Sequence, residues 1–508
     1  MSNFDERPLT VSRWALLGAF LLGASVPLAF APFEVFPLAV LAPALWFLLL
    51  RDTAPAVALR RGFAFGLGMF GAGVSWVYIS IHYFGHSPLP AALGVMLLLV
   101  AYMSVFPAAL AYVGARRRVH GARVFLLLLP AGWALAEWLR SWLFTGFAWL
   151  NLGYTQIDSP LAGYAPVLGV YGVSWLTALS AGLLAWALST AGRARWLGPV
   201  LLALLWLGGA QLKHYAWTQV AGAPLRVSLI QGNIPQDEKW DPAQQVATLE
   251  KYLNLTRGEW SEQGRERLDL VIWPETAIPA FQHQVADNFL APLTEEARRV
   301  GTDLLTGIPV LDRERWEYYN AVIGIGQDEG AYYKHHLVPF GEYLPLRKIL
   351  GTLLQVMPLP VADFSAGKLG QPLVRAAGYP VGISICYEII FGEEIIAQLP
   401  QAAFLVNVSN DAWFGDSLAP HQHLEMARMR ALETGRYLLR ATNTGITAII
   451  GPDGTLRERG PQFETTVVRG SIEPRKGSTP YVRWGNWPVV IGATLVVPVA
   501  VFRRARPH

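Results

Sequence analysis

Hydrophobic and polar positions alternate on two different scales along this chain. In residues 1–212, long apolar runs with few charges fall at about 14–33, 35–50, 63–83, 89–115, 124–143, 164–190 and 196–212, and an eighth follows at 487–502. Each approaches the roughly 20 residues a helix needs to cross a bilayer, the second and last being rather short. From Leu225 the texture changes to short β-rich runs: LRVSLIQ, LDLVIW, TDLLTGIPV, NAVIGIG, YPVGISIC, AAFLVNVS and ITAIIG. Helical patterns separate them at about 241–259, 285–300, 391–398 and 420–438. Strands bounded by Gly and Pro and separated by helices predict a layered α/β domain. The expected organisation is a seven-span bundle at 1–212, an α/β domain at 213–486, and an eighth span with its tail at 487–508.

Composition agrees with two solvents. Hydrophobic residues make up 53% of the chain and charged residues only 15%, against a soluble norm of roughly 25% charged. The net charge of +4 suggests anionic partners until the arginines are placed. With the N-terminus inside, the inner segments hold Arg7 and Arg13, then Arg51, Arg60 and Arg61, then Arg116 to Arg118 and Arg123, then Arg193 and Arg195, then Arg503, Arg504 and Arg506. The short outer loops APFEVF and GHSP hold none. This asymmetry sets orientation, puts 213–486 outside the cytoplasm, and turns the basic balance into topology rather than nucleic-acid binding. LAFA in the first run imitates a signal-cleavage site. In the fifth run Glu137 and Arg140 fall three apart on one helical face and are expected to pair, as a structural ion pair or as part of a headgroup site.

Three strand ends carry chemistry. LDLVIW runs into PETAIP, putting Glu275 just past a strand; GAYYKHHLVPFGEYLP puts Lys334 at the end of another and Glu342 in a turn; YPVGISIC ends on Cys386, the only cysteine in 508 residues. A thiol is mostly protonated at neutral pH, so a nearby carboxylate serves as base and an ammonium stabilises the oxyanion. The ammonium also favours the thiolate. Taken singly, each has a plain alternative: a solvated loop Glu, a solvated Lys, a small buried Cys.

The fuller motifs carry a resemblance. WPET, KHHLVPFGEYLP and ICYE resemble the catalytic motifs of the nitrilase, or carbon–nitrogen hydrolase, superfamily. With QGNIPQDEKW and VNVSNDAWFGDSLAPHQHLEMARMRALETGR, and with the apolar runs around them, the whole chain resembles the bacterial apolipoprotein N-acyltransferase family. That resemblance implies a polytopic helical membrane bundle of about eight spans with an inserted αββα domain, in the bacterial inner membrane with the domain on the periplasmic side. It implies Glu275 as base, Lys334 as oxyanion stabiliser and Cys386 as nucleophile, with Glu342, Tyr387, Glu388 and Trp240 at supporting positions. The implied partners are a phospholipid donor of the sn-1 acyl chain, typically phosphatidylethanolamine, and a diacylated apolipoprotein acceptor, joined through a Cys thioester in a ping-pong reaction.

No cofactor is implied, and no GxxxxGK[ST] phosphate loop is present. His421 and His423 lie two apart in a predicted helix, so they do not form an i, i+4 metal pair and no metal is expected. SND and WFGD are expected to shape the pocket. Segment 349–361, ILGTLLQVMPLPV, reads equally as a lid or as a packed interfacial loop. Two rivals remain: a membrane-anchored hydrolase delivering acyl groups to water, and a transporter with a non-catalytic outer domain.

Overall fold

The computed structural model of the chain describes residues 12–116, 121–261, 267–343 and 363–502. The candidate lid at 349–361, Arg7, Arg117, Arg118 and the arginines beyond 502 lie outside the described residues.

All eight apolar runs are helical, from Arg13–Ser25 to Trp487–Phe502. Among the described residues, Leu89–Arg116, Pro160–Ser189 and Arg193–Lys213 are long and apolar enough to cross a membrane, and the pair Pro55–Gly73 and Val77–Phe84 joins them if its 57° bend is counted within one span. Arg13–Ala29, Leu38–Leu49 and Trp487–Ala500 are apolar but shorter. Small residues bring helices close: a Cβ at Gly23 would meet the Phe65 carbonyl, and one at Gly66 the Ser104 backbone, as expected where apolar chains pack without help from water. Glu137 and Arg140 are both buried, but each finds its own partners. Glu137 accepts from Trp133 Nε1 (2.7 Å) and Leu152 N (2.8 Å), and Arg140 donates to Asn151 Oδ1 (2.5 Å). The two side chains lie within reach of each other's charge, as expected, and together hold the Asn151–Leu152 loop.

The remaining strands build two six-stranded sheets. One has the order β13 (Thr466–Ile472), β2 (Leu225–Gln231), β3 (Leu270–Ile272), β4 (Asp303–Asp312), β5 (Glu317–Ile325), β6 (Gly330–Tyr333). The other has the order β12 (Leu456–Arg459), β11 (Ala448–Ile450), β10 (Leu438–Thr442), β9 (Phe404–Ser409), β8 (Tyr379–Ile385), β7 (Val374–Ala376). A two-stranded ribbon pairs β1 (Gln219–Val220) with β14 (Arg475–Lys476). The central strands β2–β3–β4 and β8–β9–β10 run parallel, and their near-continuous apolar sequences reflect burial on both faces.

The two sheets face each other across one core, in which Leu229, Ile272 and Leu305 meet Ile383, Phe404, Val406 and Leu439. Outside the first sheet, Tyr252 of helix Gln245–Ser261 and Leu293 and Ala297 of helix Ala291–Val300 form a second core with Val271, Trp273 and Leu304. Outside the second sheet lies helix Ala419–Thr434, whose Leu424, Met426 and Ala427 share a core with Leu405 and with the bundle. The layers are therefore α, β, β and α, with the last helix clamped between sheet and bundle.

Candidate active site

Glu275, Lys334 and Cys386 follow the C-terminal ends of β3, β6 and β8. Strand ends are where a layered α/β domain releases side chains from its core. β4 lies against the Glu275 loop because residue 307 is glycine: a Cβ there would sit 2.4 Å from Thr276 N and 2.7 Å from Glu275 Cα.

Lys334 is buried, with Nζ 2.9 Å from Glu342 and 3.7 Å from Glu275 Oε1. Asn320 on β5 bridges the two carboxylates, its Nδ2 donating to Glu275 Oε1 (2.7 Å) and Glu342 Oε1 (3.2 Å). Asn410 N donates to Glu275 Oε2 (2.8 Å), and Val338 N to Glu342 Oε2 (2.8 Å). Burial disfavours the Lys334 ammonium, but Glu342 and Glu275 outweigh it and hold the pKa above the ordinary value.

Cys386 is partly exposed and sits at φ +52°, a conformation that costs a non-glycine residue energy and persists only where the surroundings impose it. Burial, and then the charge of Glu275, push its thiol up, with Lys334 opposing. Lys334 acts in the expected direction, favouring the thiolate, but desolvation and Glu275 outweigh it and hold the thiol above its ordinary pKa.

Glu388 is buried and ties two strand ends together. It accepts from Tyr332 OH (3.0 Å), His335 N (2.7 Å) and His336 N (3.1 Å) after β6, and from Ile385 N (2.7 Å) at the end of β8. Burial raises its pKa to about 7. Tyr387 donates to the Gly146 carbonyl at 3.0 Å, and His336 Nε2 lies 3.2 Å from the Thr145 carbonyl, so a bundle loop touches the residue next to the sulfur. Trp240 is half exposed, and with Phe340 and Trp413 it places exposed aromatic surface on loops that carry site residues.

Several site residues went unread in the sequence. Lys239, not Trp240, is the residue of DEKW that turns inward, donating to the Glu275 carbonyl at 3.0 Å. His423 is buried with Nε2 3.2 Å from the Cys386 carbonyl, which Asn407 Nδ2 also approaches at 3.4 Å. Its Nδ1 lies 3.0 Å from Asp411 Oδ1 and from Arg440 Nη2. Burial and Arg440 hold His423 below its ordinary pKa, against the opposing pull of Asp411. Arg440 also reaches Asp411 Oδ2 (2.7 Å) and Asn407 Oδ1. This network fixes the main chain at the strained cysteine.

A sandwich with a carboxylate, an ammonium and a thiol at its strand ends defines a class. The pattern described as carbon–nitrogen hydrolase matches residues 226–481, and this part of the chain is a nitrilase-type domain. The region before it matches, at residues 22–183, the pattern described as the apolipoprotein N-acyltransferase N-terminal domain. A protein named apolipoprotein N-acyltransferase from Methylococcus capsulatus is 48% identical over 497 residues, covering 97% of each chain. Those from Nitrosomonas europaea (46%, covering 93% of this chain and 94% of the relative) and Azotobacter vinelandii (43%, covering 96% and 94%) carry the same name. The chain belongs to the apolipoprotein N-acyltransferase family, and it is an enzyme, an acyltransferase.

Proposed function

We propose that the protein moves the sn-1 acyl chain of a phospholipid, with phosphatidylethanolamine the expected donor, onto the N-terminal amine of diacylglyceryl-cysteine on apolipoproteins. Cys386 attacks the ester carbonyl while Glu275 takes the thiol proton, and Lys334 faces the oxyanion of the tetrahedral intermediate. Collapse forms the thioester and expels lysophospholipid, whose alkoxide takes the proton back from Glu275. The acceptor amine then attacks the thioester, Glu275 receives the amine proton, and collapse returns it to the sulfur. The carrying observation is that Glu275, Lys334 and Cys386 come together at the ends of β3, β6 and β8, with Lys334 Nζ 3.7 Å from Glu275 Oε1 and Cys386 held at φ +52°. Base-assisted attack is what a thiol held above its ordinary pKa requires.

In this reading Glu342 holds Lys334, Glu388 and Tyr387 fix the loops, and Trp240 meets lipid. The eight helical runs are eight spans of the bacterial inner membrane. Residues 213–486 form a periplasmic domain standing on 1–212, and 487–508 return the chain to the cytoplasm. Exposed Trp240, Phe340 and Trp413 support entry of the donor from the lipid side.

The test is to incubate the purified protein with labelled phosphatidylethanolamine and no acceptor, and to measure intact mass. One acyl adduct on Cys386, released by neutral hydroxylamine and absent from Cys386→Ala and Lys334→Ala, is the expected result. Adduct-free enzyme with fatty acid accumulating would replace transfer by hydrolysis to water.

A further inference from the structure

The strands that deliver Lys334 and Cys386 both run past their last neighbour. β6 is an edge strand of the first sheet, paired on one side with β5. β8 has β7 beside it, but that pairing stops at Val374 and Val381. Among the described residues, 382–385 therefore have β9 on one side and no strand on the other. Main-chain groups there need partners.

A glutamine amide takes the missing place on each strand. Gln371 Oε1 accepts from Tyr333 N at 2.9 Å and its Nε2 donates to Tyr333 O at 2.7 Å, one residue before Lys334. Gln398 Oε1 accepts from Ile383 N at 2.7 Å and its Nε2 donates to Ile383 O at 2.9 Å, three residues before Cys386. Each amide meets the N–H and C=O of one residue together, as an antiparallel neighbour would. The segment carrying Gln371 adds a second grip, because Gly367 N donates to Lys334 O at 2.8 Å and His335 Nδ1 approaches Gly367 O at 2.7 Å. A Cβ at 367 would sit 2.3 Å from Tyr333 O, so only glycine lets the segment lie this close. Three residues after Gln371 the chain enters β7. Gln371 thus ties the edge of one sheet to the start of the other.

Placement matters because Lys334 and Cys386 stand on different sheets, and among the described residues no strand pairing joins those sheets. Glu388 links the two strand ends from within the site, and the glutamines hold them from outside. An oxyanion donor works only where the oxyanion forms, and a misplacement of about 1 Å caused away from the chemistry can cost roughly a hundredfold.

We propose that Gln371 and Gln398 are positioning residues, which set the distance from the Lys334 ammonium to the Cys386 sulfur by completing β6 and β8. This deepens the reading of Cys386 as nucleophile and Lys334 as oxyanion stabiliser, and rests on it.

The experiment compares Gln371→Met and Gln398→Met with wild type in the full chain. Methionine keeps the length of the side chain and loses both hydrogen bonds, and both glutamines border one solvent-open cleft, so no buried void is left. With labelled phosphatidylethanolamine in detergent micelles as donor, the final amount of Cys386 adduct counts competent sites and its rate of formation reports how well each is arranged. Each variant is expected to reach the wild-type amount with an unchanged apparent KM for the donor, while the maximal rate falls about tenfold. Hydrogen exchange is expected to quicken around Tyr333 in the first variant and around Ile383 in the second. A smaller amount of adduct at an unchanged rate per site would reduce the glutamines to supports of the fold and overturn the proposal, as would wild-type rates. Absence of any adduct in wild type would overturn the thioester reading instead. Exchange at Tyr333 and Ile383 would then decide alone whether the glutamines hold the strands, and unchanged exchange would overturn that as well.

Discussion

The sandwich carries a helical layer on each side, and the two layers use charge in opposite ways. Ala291–Val300 reads APLTEEARRV; it buries Leu293 and Ala297 and leaves Glu295, Arg298 and Arg299 exposed. Ala419–Thr434 carries Glu425, Arg428, Arg430 and Glu433, and all four are buried. The difference lies in what covers each helix. The first faces water. The second faces broken bundle helices, whose breaks release backbone groups that neither lipid nor apolar side chains can satisfy. Gly73 ends the helix before the 57° bend, and its carbonyl accepts from Gln422 Nε2 at 3.2 Å. Helix Ala165–Ser189 is kinked at Gly169, φ +67°, and the freed Val170 N donates to Glu433 Oε1 at 2.6 Å. Ala31 N donates to Glu425 Oε1 at 3.2 Å, and Arg428 reaches Asp158 at 2.5 Å. Polar residues on this helix cap the bundle, which makes the bundle and the catalytic domain one folding problem.

The largest effect is expected where both functions of the inner layer meet. Glu433→Ala orphans Val170 N and leaves Arg430, 3.1 Å away and fully buried, without its carboxylate. Breaking a buried pair from one side costs about 3–5 kcal/mol. Thermal unfolding in detergent is expected to show a fall of that order, with Glu433→Gln recovering part of it by still accepting from Val170 N.

Glu425 sharpens the same contrast through pH. Burial raises its pKa to about 8, against the hydrogen bond from Ala31 N. The folded state therefore holds this proton more tightly than the unfolded chain does. The stabilisation is full below the unfolded value near 4.5 and is lost as pH rises towards 8. Wild type is expected to lose stability across that window, and Glu425→Gln, neutral and still able to accept from Ala31 N, is expected to flatten this part of the profile. An equally steep profile in the variant would mean that Glu425 is ionised and matched.

The same contrast explains what could be read from the sequence. The apolar runs all became helices because their signal is local and long. Strands such as β8 and β9 were legible for a similar reason: burial on both faces leaves almost no polar interruption. β10 was missed because Arg440 stands in the middle of LLRAT, and an arginine there reads as solvent-facing until Asp411 and Asn407 are seen to receive it. β13, TVVRGSI, was missed because an edge strand with one wet face alternates polar residues that resemble a loop. Glu275, Lys334 and Cys386 could be singled out because each follows a short strand beside turn residues. Lys239 and His423 carry no such mark, since only tertiary packing turns one inward from an acidic loop and aims the other at the Cys386 carbonyl. Glu137 and Arg140 stay within reach of each other's charge, as their helical spacing predicts, but their hydrogen bonds go to the Asn151–Leu152 loop, which no spacing rule announces.

The smallest expected effect is on the outer layer. Arg257 of helix Gln245–Ser261 grips Glu296 of helix Ala291–Val300 through Nε to Oε1 at 2.9 Å and Nη2 to Oε2 at 2.7 Å, with the arginine half exposed. The contact is shorter than that of the buried Arg430–Glu433 pair at 3.1 Å, yet water screens it and two long side chains lose freedom to make it. Glu296→Ala is expected to cost about 0.2–1 kcal/mol, and 1 M salt should erase most of that difference, since the screening length shrinks to about 3 Å. The Glu433→Ala deficit should survive the same salt because its charges are out of reach of ions. If Glu296→Ala proved as costly as Glu433→Ala, or if both responded alike to salt, solvent access would not be what separates the two layers, and hydrogen-bond geometry alone would have to explain the strength of the inner one.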